Sequence, residues 1–171
     1  MNRDALRATQ EPLKDRYRGD PGAALVTLSA TGTLGEGITC SVRTGQALAA
    51  AGLHPASGGD GSALCSGDML LEALAACAGV TLQAVATSLE IPIENGRVHA
   101  EGDLDFRGTL GVDKEAPVGF RAIRIRFELE TDAGDEQLDT LLRLTERYCV
   151  VYQSLARPAE LSASWARDGS S

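Results

Sequence analysis

The stretch CSGDMLLEALAACAGVTLQAVATSL, residues 65–89, constrains the fold more than any other part of the chain. From Met69 to about Leu89 it runs without a break except Gly79, and Pro92 follows as a stop signal. Asp68 stands at or beside the position expected of an N-cap. Leu70, Leu74, Cys77, Thr81 and Ala84 fall along one stripe of a helix, but the other faces are also mostly Ala, Leu and Val. A helix apolar on nearly every side is expected to be covered on every side. Ala73, Ala75, Ala76, Ala78 and Gly79 would let a second element approach closely. The spacing therefore predicts a central helix, not one laid on a surface.

Shorter elements surround it. Residues 3–18, RDALRATQEPLKDRYR, read as a polar helix or arm that Pro12 breaks or kinks. Its thin stripe of Leu6, Leu13 and Tyr17 suits docking on a partner subunit, or a frayed terminus. Residues 23–30 alternate as a strand, TGTLGEG turns, and ITCSVRT (38–44) returns as a second strand. Ile38, Cys40 and Val42 share one face of that strand, so Cys40 is expected to point inward as a packing residue. Residues 52–67 form a glycine-rich loop without the GxxxxGK[ST] pattern of a phosphate loop.

After the central helix, residues 97–110 alternate as a strand and GVDKEAPVG reads as a hairpin loop. FRAIRIRFELET (120–131) gives the clearest strand pattern. Residues 135–148 form an amphipathic helix on Leu138, Leu141, Leu142 and Thr145, with Cys149 at or just past its end. VVYQSLARPAELSASW is expected to close the chain with a turn and a short strand. The order is that of an α+β fold built from antiparallel hairpins, not of a βαβ series. Residues 1–20 read as an arm and 21–171 as a single domain.

Aromatic residues make up only 4% of the chain, so its core must be built from aliphatic side chains. The net charge of −8 argues against a nucleic-acid or anionic-membrane surface. Met1 to Arg18 is charged throughout and lacks the pattern of a secretion signal, and no apolar run is expected to reach the roughly 18 residues of a membrane span. These features point to the cytoplasm.

Four cysteines remain: Cys40, Cys65, Cys77 and Cys149. There is no CxxC pair, and with His54 and His99 the spacings match no zinc pattern. Cys77 is either a small core residue or a thiolate held for a substrate. Cys65, just ahead of the helix, sits where helix N–H groups favour a thiolate, or is simply a loop residue. A Cys77–Cys149 redox pair needs Cα atoms within about 7 Å, which spacing alone does not decide.

Two motifs carry a resemblance. SGDMLLEALAACAGVT resembles the cysteine helix of the OsmC/Ohr family of osmotically inducible proteins and organic hydroperoxide reductases, and LTERYCVVYQSL resembles that family's second cysteine motif. They occur in family order, and the resemblance spans about residues 23–165. It implies an OsmC-like fold, antiparallel sheets wrapping central helices in an intertwined homodimer, with sites at the dimer interface. It implies a thiol-dependent peroxidase of oxidative-stress defence that acts on organic hydroperoxides. Cys77 corresponds to the peroxidatic cysteine and Cys149 to the resolving one. No metal or organic cofactor is implied, only an external dithiol or lipoyl-type reductant.

The family also uses an arginine in the first hairpin turn and a glutamate near the start of the cysteine helix. Here Leu34 falls near the expected arginine, which leaves Arg43 as the nearest, and Asp68 and Glu72 are the acids at hand. Arg43, Asp68 and Glu72 are therefore the candidate supports of Cys77. The missing turn arginine motivates a second reading, a dimer of the same fold that binds a small apolar ligand with little or no peroxidase activity.

Overall fold

The computed structural model describes residues 3–34, 40–42, 51–61, 64–157 and 159–165. Helix α1 (Arg3–Gly19) leads through a 3-10 turn to strand β1 (Leu25–Leu34), and β2 (Cys40–Val42) pairs with its far end. The short strands β3 (Ala51–Gly52) and β4 (Leu64–Cys65) pair in parallel ahead of the long helix α2 (Ser66–Ser88). Strand β5 (Asn95–Asp105), the single turn α3 (Phe106–Thr109), strand β6 (Phe120–Glu130), helix α4 (Asp135–Tyr148) and helix α5 (Val150–Ala156) complete the fold. One antiparallel sheet has the order β2-β1-β5-β6, so the α+β reading holds.

Alternation gives this sheet two unlike faces. Val98, Ala100 and Leu104 of β5 pair with Phe127, Ile125 and Phe120 of β6 on the face that meets α2. Asp103, Glu101 and His99 oppose Ala122, Arg124 and Arg126 on the other face. There Arg124 binds both Asp103 and Glu101, and Thr27 Oγ1 donates to Asp103 at 2.8 Å. Gly102 lies on the packed face because a Cβ there would sit 2.5 Å from the Phe120 ring and 3.3 Å from Leu71.

Helix α2 consists largely of strong helix formers and contains no proline. Leu71, Leu74, Ala75, Ala78 and Leu82 bury one side of it completely against the sheet, α4 and α5. Each such leucine contributes about 1.5–3 kcal/mol by leaving water. The expectation of cover on every side is not met within one chain: Met69, Ala73, Val80 and Ala84 form an exposed apolar stripe. By length and composition α2 also qualifies as a membrane-crossing helix, contrary to the reading of the sequence. Its packing against the sheet accounts for much of that apolarity.

Several boundaries differ from expectation. β1 continues through residues 31–34, read above as a turn, because it pairs there with both β2 and β5. The strand expected over 97–110 ends at Asp105, whose side chain accepts the Arg107 N–H and opens α3. α2 starts at Ser66 with Cys65 as its N-cap, so Asp68 lies inside the first turn, where its charge suits the helix dipole. The tail after Cys149 forms helix α5 instead of a turn and strand, and residues 159–165 have no regular structure. α1 packs on its own chain: Tyr17 is buried with Phe106 and Leu110, and its hydroxyl donates to the Ala56 carbonyl at 2.6 Å.

Candidate functional site

The break between α4 and α5 builds the site. Cys149 closes one helix and opens the next: its N–H donates to the Thr145 carbonyl at 2.9 Å, and its carbonyl accepts from the Gln153 N–H at 2.9 Å. The Gln153 side chain donates across the break to the Glu146 carbonyl at 2.8 Å. Cys149 itself is in an extended conformation, φ −71° and ψ 110°, and this turns the first N–H groups of α5 toward the sulfur atoms. Its Sγ accepts the Tyr152 N–H at 3.4 Å.

Cys77 comes to this break from α2. It is half-buried and packs in the same core cluster as Cys149, Val151, Tyr152 and Leu155. The two thiols adjoin, and the groups that act on the charge of the Cys77 sulfur are the Val151 and Val150 N–H groups, the Cys149 thiol and the Thr81 hydroxyl. All three cysteines with described side chains are free thiols.

The environment drives the two thiols apart. Burial works against a charge on Cys77, but the Val151 N–H, the Cys149 thiol, the Val150 N–H and the Thr81 hydroxyl outweigh it and hold Cys77 below the usual thiol range. Cys149 is fully buried, and burial pushes its thiol up to about 11. The Tyr152 and Val151 N–H groups oppose that rise, and the Cys77 thiolate adds to it. So Cys77 is the sulfur of the two that ionises more readily, and Cys149 is the one that holds its proton more tightly.

The other sequence candidates lie apart. Asp68 and Glu72 precede Cys77 by nine and five residues, which at about 1.5 Å per residue sets them roughly 14 Å and 8 Å up the axis of α2. Burial raises both carboxyls; His54 partly offsets this at Asp68, and Asp68 adds to it at Glu72. Neither acid is among the groups acting on Cys77. Arg43 lies outside the described residues, as do the side chains of Leu34 and Cys40. Cys65 caps α2 about 18 Å along the axis from Cys77, too far to join the pair within one chain.

Two cavities flank this arrangement. One, of about 300 Å³, runs between β6 and α5 past Leu74, Ile123, Ile125, Tyr152 and Leu155. Leu74 and Tyr152 each sit one turn from a thiol. The other, of about 380 Å³, opens at the head of α2 between Leu53, Cys65, Leu70, Phe106 and Phe120. His54 lines it, stacked on Phe106 at 4.9 Å, with its Nδ1 accepting the Ala56 N–H at 3.0 Å. Among the described residues, no three His, Cys, Asp or Glu side chains gather to hold a metal.

The sequence pointed to both thiols but not to the donors around Cys77. Main-chain N–H groups have no signature of their own, and Thr81 showed only as a neighbour of Cys77 on the helix stripe.

The family of OsmC-like proteins matches residues 59–164. Among solved structures, the chain is similar to an OsmC-like hydroperoxide resistance protein from Jannaschia sp. CCS1, with a TM-score of 0.61 and 17% identity over 85% of this chain and 95% of that one. It is also similar to an OsmC-like protein from Mycoplasma pneumoniae, with a TM-score of 0.55 and 16% identity over 78% of this chain and 86% of that one. No curated protein matches the sequence.

Proposed function

Because the chain belongs to the OsmC-like protein family, we propose that it is a thiol-dependent peroxidase that reduces organic hydroperoxides. The observation that carries this reading is the opposed charge preference of two adjacent thiols, Cys77 favoured as thiolate and Cys149 as thiol. The hydroperoxide resistance activity named for the similar structure is in keeping with it.

In this scheme the Cys77 thiolate attacks the outer oxygen of the hydroperoxide. The O–O bond breaks, the alkoxide leaves and takes a proton to become the alcohol, and Cys77 is oxidised to the sulfenic acid. Charge on Cys77 is then gone, and with it one of the causes that keep Cys149 protonated. The Cys149 sulfur attacks the sulfenic sulfur, a disulfide forms, and hydroxide leaves with the thiol proton as water. An external dithiol, of lipoyl type, returns both sulfurs to thiols and is itself oxidised to a disulfide. The cavity beside Leu74 and Tyr152 suits the organic group of the substrate. The reaction belongs to the reducing cytoplasm and asks for no metal or organic cofactor.

We place a second copy of the chain on the exposed stripe of α2, where Met69, Ala73, Val80 and Ala84 lack cover. Cys77 lies beside that stripe, so the homodimer would close over the site.

The cavity at the head of α2 favours a second reading, a ligand-binding role without turnover. Cys77→Ser and Cys149→Ser separate the two. Under peroxidase chemistry, C77S consumes no hydroperoxide with a dithiol present, and C149S releases about one equivalent of alcohol per chain and then stalls. Undiminished turnover by C77S would exclude the peroxidase reading.

A further inference from the structure

A helix running on from α4 into α5 would send the Val150 N–H to the Glu146 carbonyl and the Tyr152 N–H to the Tyr148 carbonyl. The chain places other partners there. Its ladder stops where the Cys149 N–H meets the Thr145 carbonyl and restarts where the Gln153 N–H meets the Cys149 carbonyl, each at 2.9 Å. In between, the Gln153 side-chain amide takes the Glu146 carbonyl at 2.8 Å, and the Tyr152 N–H goes to the Cys149 sulfur at 3.4 Å. Gln153 therefore grips both sides of the break, Cys149 through its main chain and the last turn of α4 through its side chain. Relaxation into one continuous helix would set the Val150 N–H on the carbonyl that Gln153 holds, and would take the Tyr152 N–H off the Cys149 sulfur.

The tie matters because of what packs on the break. Cys77 of α2 shares one core cluster with Cys149, Val151, Tyr152 and Leu155, so the direction in which Cys149 leaves the break decides whether the two sulfurs meet. These two hydrogen bonds of Gln153 end on main-chain carbonyls, not on a sulfur. We infer that Gln153 is a positioning residue for the thiol pair: by bridging Cys149 to Glu146 it keeps the chain broken at Cys149 and the Cys149 thiol turned toward Cys77. The inference rests on the peroxidase reading for its use in a disulfide-forming cycle, and on the hydrogen bonds for its geometry.

Gln153→Met keeps the length and helix propensity of the side chain and removes the donor. Gln153→Glu keeps the shape and sets a carboxylate against the carbonyl, and Gln153→Lys keeps a donor. Each full chain is equilibrated in a glutathione redox buffer, and the Cys77–Cys149 disulfide is measured by mass spectrometry after alkylation. In this exchange the two protein thiols are oxidised to one S–S bond, and glutathione disulfide is reduced to two glutathione thiols that take up their protons. Without the tie, the dithiol chain can leave the broken geometry and the disulfide cannot. Q153M and Q153E should therefore lower the equilibrium constant for closure about fivefold, the worth of one net hydrogen bond, while Q153K stays near the parent. Urea unfolding of the reduced chains is followed alongside, because a merely structural bond would lower the midpoint and leave closure alone. Closure of Q153M and Q153E at the parent constant overturns the inference, whatever the midpoints do. If Q153M does not fold, Q153E against Q153K decides it in the same way. A parent chain that closes no disulfide at any glutathione ratio also overturns it. The assay uses no hydroperoxide, so weakened closure in a chain that reduces no hydroperoxide would sustain the role of Gln153 and sink the peroxidase reading. Unchanged closure in an active enzyme would do the reverse.

Discussion

At neutral pH, Cys77 should be alkylated at least about tenfold faster than Cys149 in the folded chain, and the size of the gap follows from their surroundings. With Cys149 pushed up to about 11, roughly one molecule in ten thousand carries its thiolate at pH 7, against about one in a hundred for an ordinary thiol near 9. A more basic thiolate is also a better nucleophile, with a sensitivity of about 0.4–0.5 per unit, which returns somewhat less than a factor of ten. Loss of thiolate wins over gain of nucleophilicity and leaves Cys149 about tenfold below an ordinary thiol. Complete burial lowers its reactivity further, and Cys77 lies on the other side of ordinary. The assay is limited iodoacetamide labelling at pH 7, with peptide-resolved mass spectrometry to separate the thiols. The gap should narrow as pH rises through 9 to 11 and Cys149 ionises. Cys77→Ser should speed the labelling of Cys149 without making it ordinary, because the thiolate repulsion goes and burial, the larger cause, remains. Labelling of Cys149 as fast as Cys77 at pH 7 in the parent chain would refute the reasoning.

Three further outcomes test the frame around the site. Gly102→Ala drives a Cβ to 2.5 Å from the Phe120 ring, an overpacking that should cost about 1–3 kcal/mol and lower Tm by several degrees in a scanning calorimeter, with Phe120→Leu restoring part of the loss. Asp103, half-buried and bound by Arg124 and Thr27, is held at about 2 against an unfolded value near 3.8; its contribution is complete above the higher value and fades as pH falls toward the lower, so Asp103→Asn should flatten acid unfolding in that window. Val80→Asp, on the uncovered stripe of α2, should convert the proposed dimer to monomers in light scattering with helix content unchanged.

Where a single period governs a long segment, the sequence was a sound guide. β6 and α4 lie almost where their alternation and their 3.6-residue stripe put them, because each buries one face and leaves the other in water. Short-range competition misled it elsewhere. Val150, Val151 and Tyr152 are strand-prone side chains, yet they form α5 because Cys149 caps the helix and Gln153 ties it back to Glu146. Phe106 and Arg107 look like more of β5 until Asp105 takes the Arg107 N–H and its guanidinium together. The two thiols of the candidate site were legible as side chains in matching motifs. Their pairing was legible only through the resemblance and not from their spacing, because it depends on the packing of α5 against α2, and the N–H donors were not legible at all, since any residue at those positions supplies them.

The difference between the thiols is therefore a property of position, not of sequence type. Both sulfurs meet the same first turn of α5, and the Cys77 sulfur receives two of its N–H groups, the Cys149 thiol and a hydroxyl, while half-buried. Cys149 receives two N–H groups as well, but it is fully buried and lies beside the charge that Cys77 carries. Proximity adds to this: charge on Cys77 would raise Cys149 further, second to the burial that is its larger cause. Chemistry that discharged Cys77 would remove that second cause and leave burial in place. In the proposed chemistry the order Cys77 first and Cys149 second is the one these electrostatics favour, since an oxidant that met Cys149 first would have to reach a buried thiol that holds its proton more tightly.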